Sequence, residues 1–161
     1  MARDGGLFTY LRLSLAKIDL ILGAARNMLA IEDRYHDPLY DVLYVDAYSG
    51  DSVPYHLITR EAFELYLRRL QPDGVLAVHV SNWHMDLLPL CKGMANELGL
   101  YLYGTISRQD SQIRAGAVWV YLTRQKLDYI TTENVMPIDW NQIKSFPPPT
   151  DEKGSHLPLI R

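Results

Sequence analysis

The segment Tyr40–Asp46 constrains the fold most, because its centre is a continuous run of apolar and aromatic residues and it ends in a carboxylate. Nothing in it alternates between polar and apolar positions, which is typical of a parallel strand buried on both faces. Val75–Val80 has the same apolar character. Because parallel strands are joined by crossover connections, the two segments predict an α/β sheet.

Further strands and helices alternate with these two segments along the chain. Apolar runs predict a short strand at Lys17–Leu22 and two C-terminal strands at Tyr101–Ile106 and Ala117–Thr123. The last two are expected to pair antiparallel, since the loop between them is too short for a helical crossover. The turn Pro72-Asp73-Gly74 is expected to precede the strand that starts at Val75.

Three helices are predicted between the strands. The first covers Ala25–Glu32, and the second follows Thr59, whose hydroxyl is a good N-cap. The third is capped by Asp86 and ends before Gly99, where a left-handed C-cap is expected. The exposed face of the second helix is expected to carry both Arg68 and Arg69. The order βαβαβαββ predicts an α/β domain with a mostly parallel sheet over residues 1–141, and residues 142–161 form a tail packed on it.

Composition and charge exclude several classes of function. The 161 residues carry a net charge of −3, so no basic surface is available to bind nucleic acid. The apolar runs are too short to span a bilayer. Cys91 is the single cysteine of the chain and is expected to be buried. Residues Met1–Gly6 contain no apolar signal core. Both features predict a cytoplasmic protein.

The candidate site lies where the predicted strands end. Ligands of parallel sheets bind beyond the carboxyl ends of the strands, and three segments lie there: Gly23–Arg26, Asp46–Asp51 and His79–His84. Asp46, at the tip of a buried strand, is placed to bind or deprotonate a ligand. The alternative is that Asp46 caps the following loop by accepting backbone N–H groups.

No metal site is predicted at these strand ends. His79, His84 and Asp86 are close in sequence, but their spacing matches no recognised ligand pattern. Structural or surface roles are expected for both histidines.

Several stretches resemble the spermidine-synthase-like branch of the S-adenosylmethionine-dependent methyltransferase fold. The resemblance is carried by Tyr40–Pro54, Leu57–Phe63 and Leu70–Asn82, with Gly23–Arg26 before them. Thr150–Glu152, ahead of Leu157–Ile160, also looks like a closing motif of that branch. The resemblance implies a Rossmann-like sheet and aminopropyl or methyl transfer to an amine.

The resemblance also implies roles for individual residues. Asp46 would be the catalytic residue that holds and deprotonates the acceptor amine. The substrate would be covered by a flap that includes Tyr48, Ser49, Asp51 and His56, with His84 nearby. Ser49 stands where spermidine synthases place a second aspartate, so the acceptor half of the site is only partly kept.

The donor half is expected to be degenerate. Gly23 and Ala24 occupy the turn that binds the cofactor in the family, and Ala24 stands where an aspartate normally contacts the adenine amino group. The glycine-rich first strand and helix of the family would lie upstream of Met1. The resemblance therefore predicts an N-terminally truncated domain that lacks the first two strands and binds no S-adenosylmethionine-type donor by itself.

The missing strands leave three interpretations of the chain. It is a degenerate transferase, a non-catalytic binding or oligomerisation module, or a fragment of a longer gene. They also leave two solutions for the edge of the sheet. The edge of Asp41–Asp46 would be covered by Lys17–Leu22 through a helical crossover, or by a second copy in a homodimer or strand exchange. The dimer is the favoured expectation.

Overall fold

The computed structural model describes residues 13–46, 54–82, 84–107, 116–128 and 135–152. These residues form a mixed α/β structure with one five-stranded sheet, which confirms the predicted class. In chain order the elements are α1 (Ala25–Tyr35), β1 (Tyr40–Val45), a 3-10 turn (Tyr55–Leu57), α2 (Arg60–Arg68), β2 (Leu70–His79), α3 (Leu88–Leu98), β3 (Tyr101–Ser107), β4 (Ala117–Thr123) and β5 (Val135–Pro137). Among the described helices, none is long and apolar enough to cross a membrane.

The strand order in the sheet is β1-β2-β4-β3-β5. β1 and β2 are parallel, and β4 is inserted antiparallel between β2 and β3. Consequently β1, β2 and β3 all run in one direction, although only β1 and β2 are parallel neighbours. The predicted antiparallel pairing of the last two long strands, β3 and β4, is confirmed. β5, which pairs antiparallel with β3, was not predicted.

The core occupies one face of this sheet. Alternate residues of the two central strands join the buried sides of α2 and α3 in one cluster, among them Leu76, Val78, Val120 and Leu122. Because side chains alternate between the faces of a strand, the residues between them point to the opposite face. His79 and Trp119 are cross-strand partners there. The sheet thus separates the apolar core from the side chains of His79 and Trp119.

Local capping signals place the ends of α2 and α3 as predicted, or close to it. Thr59 is the N-cap of α2, and its hydroxyl accepts a hydrogen bond from the Ala62 N–H. Gly99 ends α3 in the left-handed conformation, with φ of 66°. Asp86 accepts a hydrogen bond from the Leu88 N–H at 3.2 Å, but the helix begins at Leu88. The N-cap position of α3 is therefore taken by Leu87, whose dihedral angles are already helical, and Asp86 lies one residue before it.

The predicted strand at Lys17–Leu22 is wrong. These residues have no regular structure, and their side chains are exposed, with Leu22 at 86%. A strand requires a hydrogen-bonded neighbour, and within the described residues β1 pairs only with β2. The crossover that would have placed Lys17–Leu22 beside β1 is therefore also absent from the described part of the chain.

The prediction that β1 is buried on both faces is also wrong. β1 is an edge strand of the described sheet, with Val42 exposed at 42% and Tyr44 at 66%. Leu43 and Val45 are half-buried toward α1 and the core. An apolar run indicates that a strand can be buried, whereas its neighbours decide whether it is.

β2 begins five residues earlier than predicted. Leu70 pairs with Tyr40 and Val75 pairs with Val42, so the intervening residues of β2 bulge out of the ladder. The bulge contains the turn that was expected to lie before the strand. Gly74 allows it, since a Cβ there would lie 3.0 Å from the Tyr40 carbonyl oxygen. The bulged residues make no paired ladder position, so proline is accommodated.

The C-terminal segment contacts α2 and α3 through its backbone. The Phe146 N–H donates to the Pro89 carbonyl at 2.9 Å, and the Arg60 N–H donates to the Pro149 carbonyl at 2.8 Å. Gly93 of α3 lies against the Phe146 carbonyl so closely that a Cβ would fall 1.7 Å from its oxygen. Cys91, on the same helix, is buried as predicted, and burial raises the pKa of its thiol to about 12.

Arg69 is a buried charged residue rather than part of an exposed helix face, which corrects the expectation for the pair Arg68-Arg69. Its guanidinium donates to the carbonyls of Asp37 and Pro38 at 3.0 and 2.8 Å, and only 1% of the residue is exposed. These two carbonyls belong to the connection between α1 and β1. Arg69 therefore fixes the start of β1 from the end of α2.

We expect Arg69→Met to lower the free energy of unfolding by about 3 kcal/mol, because it leaves two carbonyls near the core without their donor. Arg68→Met is the matched control, since the side chain of Arg68 is 56% exposed beside Asp33. Its effect should be under about 1 kcal/mol. Urea unfolding followed by circular dichroism measures both. Equal effects of the two substitutions would contradict the structural role of Arg69.

Candidate ligand cleft and the Asp46–His79 site

A cleft of about 360 Å³ runs along β1 toward its carboxyl end. One wall is formed by α1 and the residues before it, and the other by β1, with Leu57 of the 3-10 turn and Tyr66 of α2. The lining is mostly apolar and is made by Ile21, Gly23, Ala25, Met28, Leu29, Glu32, Leu43, Tyr44, Val45, Asp46, Leu57 and Tyr66. Its volume lies within the range of small-molecule sites.

Asp46 lies at the mouth of this cleft, directly after β1. Its Oδ1 atom is 2.9 Å from Nδ1 of His79, the last residue of β2. The Asp46 side chain is 56% exposed and that of His79 is 22% exposed. Because β1 and β2 are parallel, the two side chains reach the same edge of the sheet. The alternative role of Asp46 as a loop cap concerns residues 47–53, which lie outside the described residues.

His79 is held by β4 and by its own strand end. Its Nε2 atom is 2.9 Å from Oγ of Ser81, and this oxygen accepts the Val118 N–H at 2.7 Å. The imidazole ring stacks on Trp119, with ring centroids 4.9 Å apart and planes inclined by 26°. Tyr44 meets the same indole edge-on at 5.9 Å. The carboxylate of Asp46 therefore adjoins a rigid group of rings.

The other polar groups of the cleft already have partners. Glu32 accepts a hydrogen bond from the Tyr40 hydroxyl at 2.7 Å. The Tyr66 hydroxyl donates to the Leu57 carbonyl at 3.1 Å, and burial raises the pKa of Tyr66 to about 12. Asp46 is thus the partly exposed acid of the lining and the group best placed to meet a ligand.

Gly23 and Ala24 give the cleft no polar side chain. Gly23 lines the cleft, and a Cβ at this position would lie 2.9 Å from Cγ and Sδ of Met28. Ala24 is the N-cap of α1 and makes no side-chain cap hydrogen bond. Neither residue therefore offers a hydrogen-bonding side chain to the adenine or ribose of an S-adenosylmethionine-type donor.

A second polar cluster ties α1 to the C-terminal segment beside the cleft. The Arg26 guanidinium binds Asp151 through two contacts of 2.8 and 2.5 Å and donates to the His56 carbonyl at 2.7 Å. The Thr59 hydroxyl donates to the same carboxylate at 2.7 Å. The His56 side chain is exposed, so this residue contributes its backbone rather than its imidazole. We call Arg26, Thr59 and Asp151 the latch.

Four predicted site residues remain to be placed. Three of them, Tyr48, Ser49 and Asp51, lie outside the described residues. His84 is exposed, and its N–H donates to the Asn82 side chain at 2.9 Å. In the described parts of the chain, no group of three or more His, Cys, Asp and Glu side chains could hold a metal ion.

Two arrangements were missed by sequence reasoning. The first is the contact between Asp46 and His79, which was signalled by two polar residues at the ends of adjacent parallel strands. The second is the latch, which joins Arg26 to Asp151 across 125 positions of sequence. Nothing in the local pattern around either residue indicates such a partner.

The comparisons with known proteins support the fold. No protein-family model matches the sequence, and a search among curated proteins finds no match. A probable spermidine synthase from Corynebacterium glutamicum is similar in structure, with a TM-score of 0.53 and 15% identity over 84% of this chain and 56% of its own. MnmC2 from Aquifex aeolicus aligns with a TM-score of 0.47 and 19% identity over 76% of this chain and 38% of its own. This chain thus spans 56% of the length of the probable spermidine synthase and 38% of that of MnmC2, and what it shares with the probable spermidine synthase is the fold.

The latch predicts a stability that depends on acidity. The hydrogen bond from Arg26 and that from Thr59 lower the pKa of Asp151 from 3.8 to about 2. Because the pKa is lower in the folded state, this contribution to stability is complete above about pH 4 and is lost as the pH falls through about 2.

Asp151→Asn should therefore reduce the free energy of unfolding by a constant amount above about pH 4, and the difference from the wild type should shrink below it. Urea titrations at several pH values measure this difference. Glu152→Gln, a change at an exposed neighbour, should follow the wild type throughout. An Asp151→Asn curve that runs parallel to the wild type down to about pH 2 would disprove the role of the latch.

Proposed function

We propose that the cleft binds a small alkyl amine and that Asp46 receives its ammonium group. The observation that carries the proposal is a partly exposed carboxylate, fixed by His79 at 2.9 Å, at the mouth of a mostly apolar cleft. The apolar lining suits the methylene chain of such a ligand, and the carboxylate suits its charge. A hydrogen bond between two charged groups is stronger than one between neutral groups.

This function corresponds to the acceptor side of an amine-directed transferase. Asp46 can orient the ammonium group and take a proton from it, which leaves a nitrogen lone pair for transfer chemistry. The likeness to a probable spermidine synthase supports an amine as the ligand class. Because Gly23 and Ala24 offer no hydrogen-bonding side chain to a nucleoside donor, we propose amine binding, and aminopropyl or methyl transfer only where a donor site is supplied from outside the described residues.

A second candidate function is self-association through β1. Val42 is 42% exposed, and β1 lies at the edge of the described sheet. We propose a second copy of this chain as the occupant, because an antiparallel pairing of β1 with itself can bring Val42 opposite Val42 of the second copy, with the exposed faces of both strands on the same side. In that register Asp41 faces Leu43 instead of another carboxylate, so no like charges oppose each other.

Amine binding is tested by titration calorimetry with putrescine, and with butanediol as a neutral ligand of the same chain length. We expect saturable binding of putrescine and no saturable binding of butanediol. Asp46→Asn should weaken it about tenfold or more, since a charge-assisted hydrogen bond is lost. Asp41→Asn removes an exposed carboxylate from the start of the same strand and should leave the affinity within about twofold of the wild type. Equal heats for wild type and Asp46→Asn would refute the proposal.

Self-association is tested by size-exclusion chromatography with light scattering. We expect the wild type to elute with twice the mass of one chain. Val42→Lys should yield a monomer, because a charge on an edge strand disfavours pairing with another strand. Met136→Lys changes a residue of almost equal exposure, 41%, on β5 at the opposite edge and should leave the mass unchanged. A monomeric wild type would contradict this candidate.

A further inference from the structure

We propose that His79 is the positioning residue of the Asp46 site and that Asp46 and Ser81 together set the tautomer in which His79 acts. This inference rests on the proposed amine binding for its ligand, but the arrangement can be tested without one. It assigns roles to His79, which the sequence predicts only as a structural or surface group, and to Ser81, for which the sequence predicts no individual role.

The geometry places His79 between two oxygen atoms. Nδ1 is 2.9 Å from Asp46 Oδ1, and Nε2 is 2.9 Å from Ser81 Oγ. A neutral imidazole has one N–H and one acceptor nitrogen, so its two neighbours decide where the proton lies. An ionised carboxylate can only accept a hydrogen bond, whereas a hydroxyl can do either.

Asp46 decides the carboxylate side, because an ionised carboxylate accepts a hydrogen bond from a protonated Nδ1. On the serine side, the Val118 N–H donates to Ser81 Oγ at 2.7 Å and occupies one of the two lone pairs of that oxygen. The hydroxyl hydrogen can then be donated to Nε2 of His79, which lies at the right distance to accept it. Both neighbours of the ring therefore favour the tautomer with its proton on Nδ1.

Packing fixes the ring plane as well. His79 and Trp119 are direct cross-strand partners, and their rings are stacked at 4.9 Å. A half-turn of the ring about its Cβ–Cγ bond would put carbon atoms where the two nitrogens lie and would break both hydrogen bonds. His79 therefore presents a donor in a fixed direction, and the bond to Oδ1 leaves the other oxygen of Asp46 for an ammonium group.

The same three kinds of side chain, in the same order, also form nucleophilic triads. Here Ser81 is the anchoring end, because its oxygen already accepts a backbone N–H and the residue is only partly exposed. A positioning role therefore predicts that Ser81 is not labelled by a fluorophosphonate. Covalent labelling at Ser81 would overturn the proposal.

The tautomer is measured by long-range hydrogen–nitrogen correlation spectra of histidine-labelled protein, with His79 identified by the signals that His79→Asn removes. We expect a protonated Nδ1 and an unprotonated Nε2 in the absence of ligand. Ser81→Ala should lower the share of the form protonated on Nδ1, because it removes the donor to Nε2 while Asp46 remains beside Nδ1. Ser107→Ala is the matched control: it removes a serine that also bonds across two strands, to Ala117, but does not contact His79. A protonated Nε2 in the wild type would overturn the proposal.

Putrescine titrations of two His79 variants test the effect on the site. His79→Leu should weaken binding about tenfold, as Asp46→Asn does. His79→Asn should restore the affinity to within about threefold of the wild type, because its amide nitrogen stands at the same number of bonds from Cβ as Nδ1. Thermal melting of both variants separates this pattern from a general loss of stability. Wild-type affinity in His79→Leu would overturn the positioning role.

The two proposals fail in different ways. If the wild type binds no putrescine but His79 shows the expected tautomer and responds to Ser81→Ala, amine binding is disproved and the positioning of Asp46 is supported. If putrescine binds through Asp46 but the tautomer is reversed, amine binding is supported and the positioning role is disproved.

Discussion

The parallel pairing of β1 with β2 is the constraint on which the rest of the site depends. It brings Asp46 and His79, 33 positions apart in the chain, to within 2.9 Å at one edge of the sheet. The ladder is aligned from its other end by Arg69, which binds the carbonyls that lead into β1. A shift by one residue would move Asp46 to the other face of the sheet and break its contact with His79.

β4 has a comparable role from the opposite side of β2. Because it is inserted antiparallel, it places Trp119 beside His79 and the Val118 N–H beside Ser81. The helices that supply the core pack on the other face, so the residues that hold the His79 ring are not those that form the core. Substitutions at Ser81 or Trp119 can therefore be distinguished from those that remove core packing.

The sequence predicted those parts of the molecule that depend on local patterns. The caps at Thr59 and Gly99 and the apolar runs of β2 and β4 follow from a few neighbouring residues, and all were found. The strand expected at Lys17–Leu22 was not, because its apolar pattern says nothing about a hydrogen-bonded partner. The expected exposure of Arg69 was wrong for a related reason. A charged residue at a helix end is usually solvated. Only the path of the distant connection from α1 to β1 shows that the Arg69 guanidinium has carbonyl partners.

Asp46 could be predicted from its strand, whereas its contact with His79 depends on strand order and register.

The close approach of Gly93 to the Phe146 carbonyl has a consequence for how this molecule can change over evolutionary time. A single carbon atom at position 93 would fall 1.7 Å from that oxygen, so α3 and the C-terminal segment fit together only while the helix has no side chain there. Replacement of this glycine is acceptable only in a lineage where the segment has already moved or been lost. The residue at position 93 in a related sequence would therefore report whether the segment, and with it Asp151, still lies against the domain.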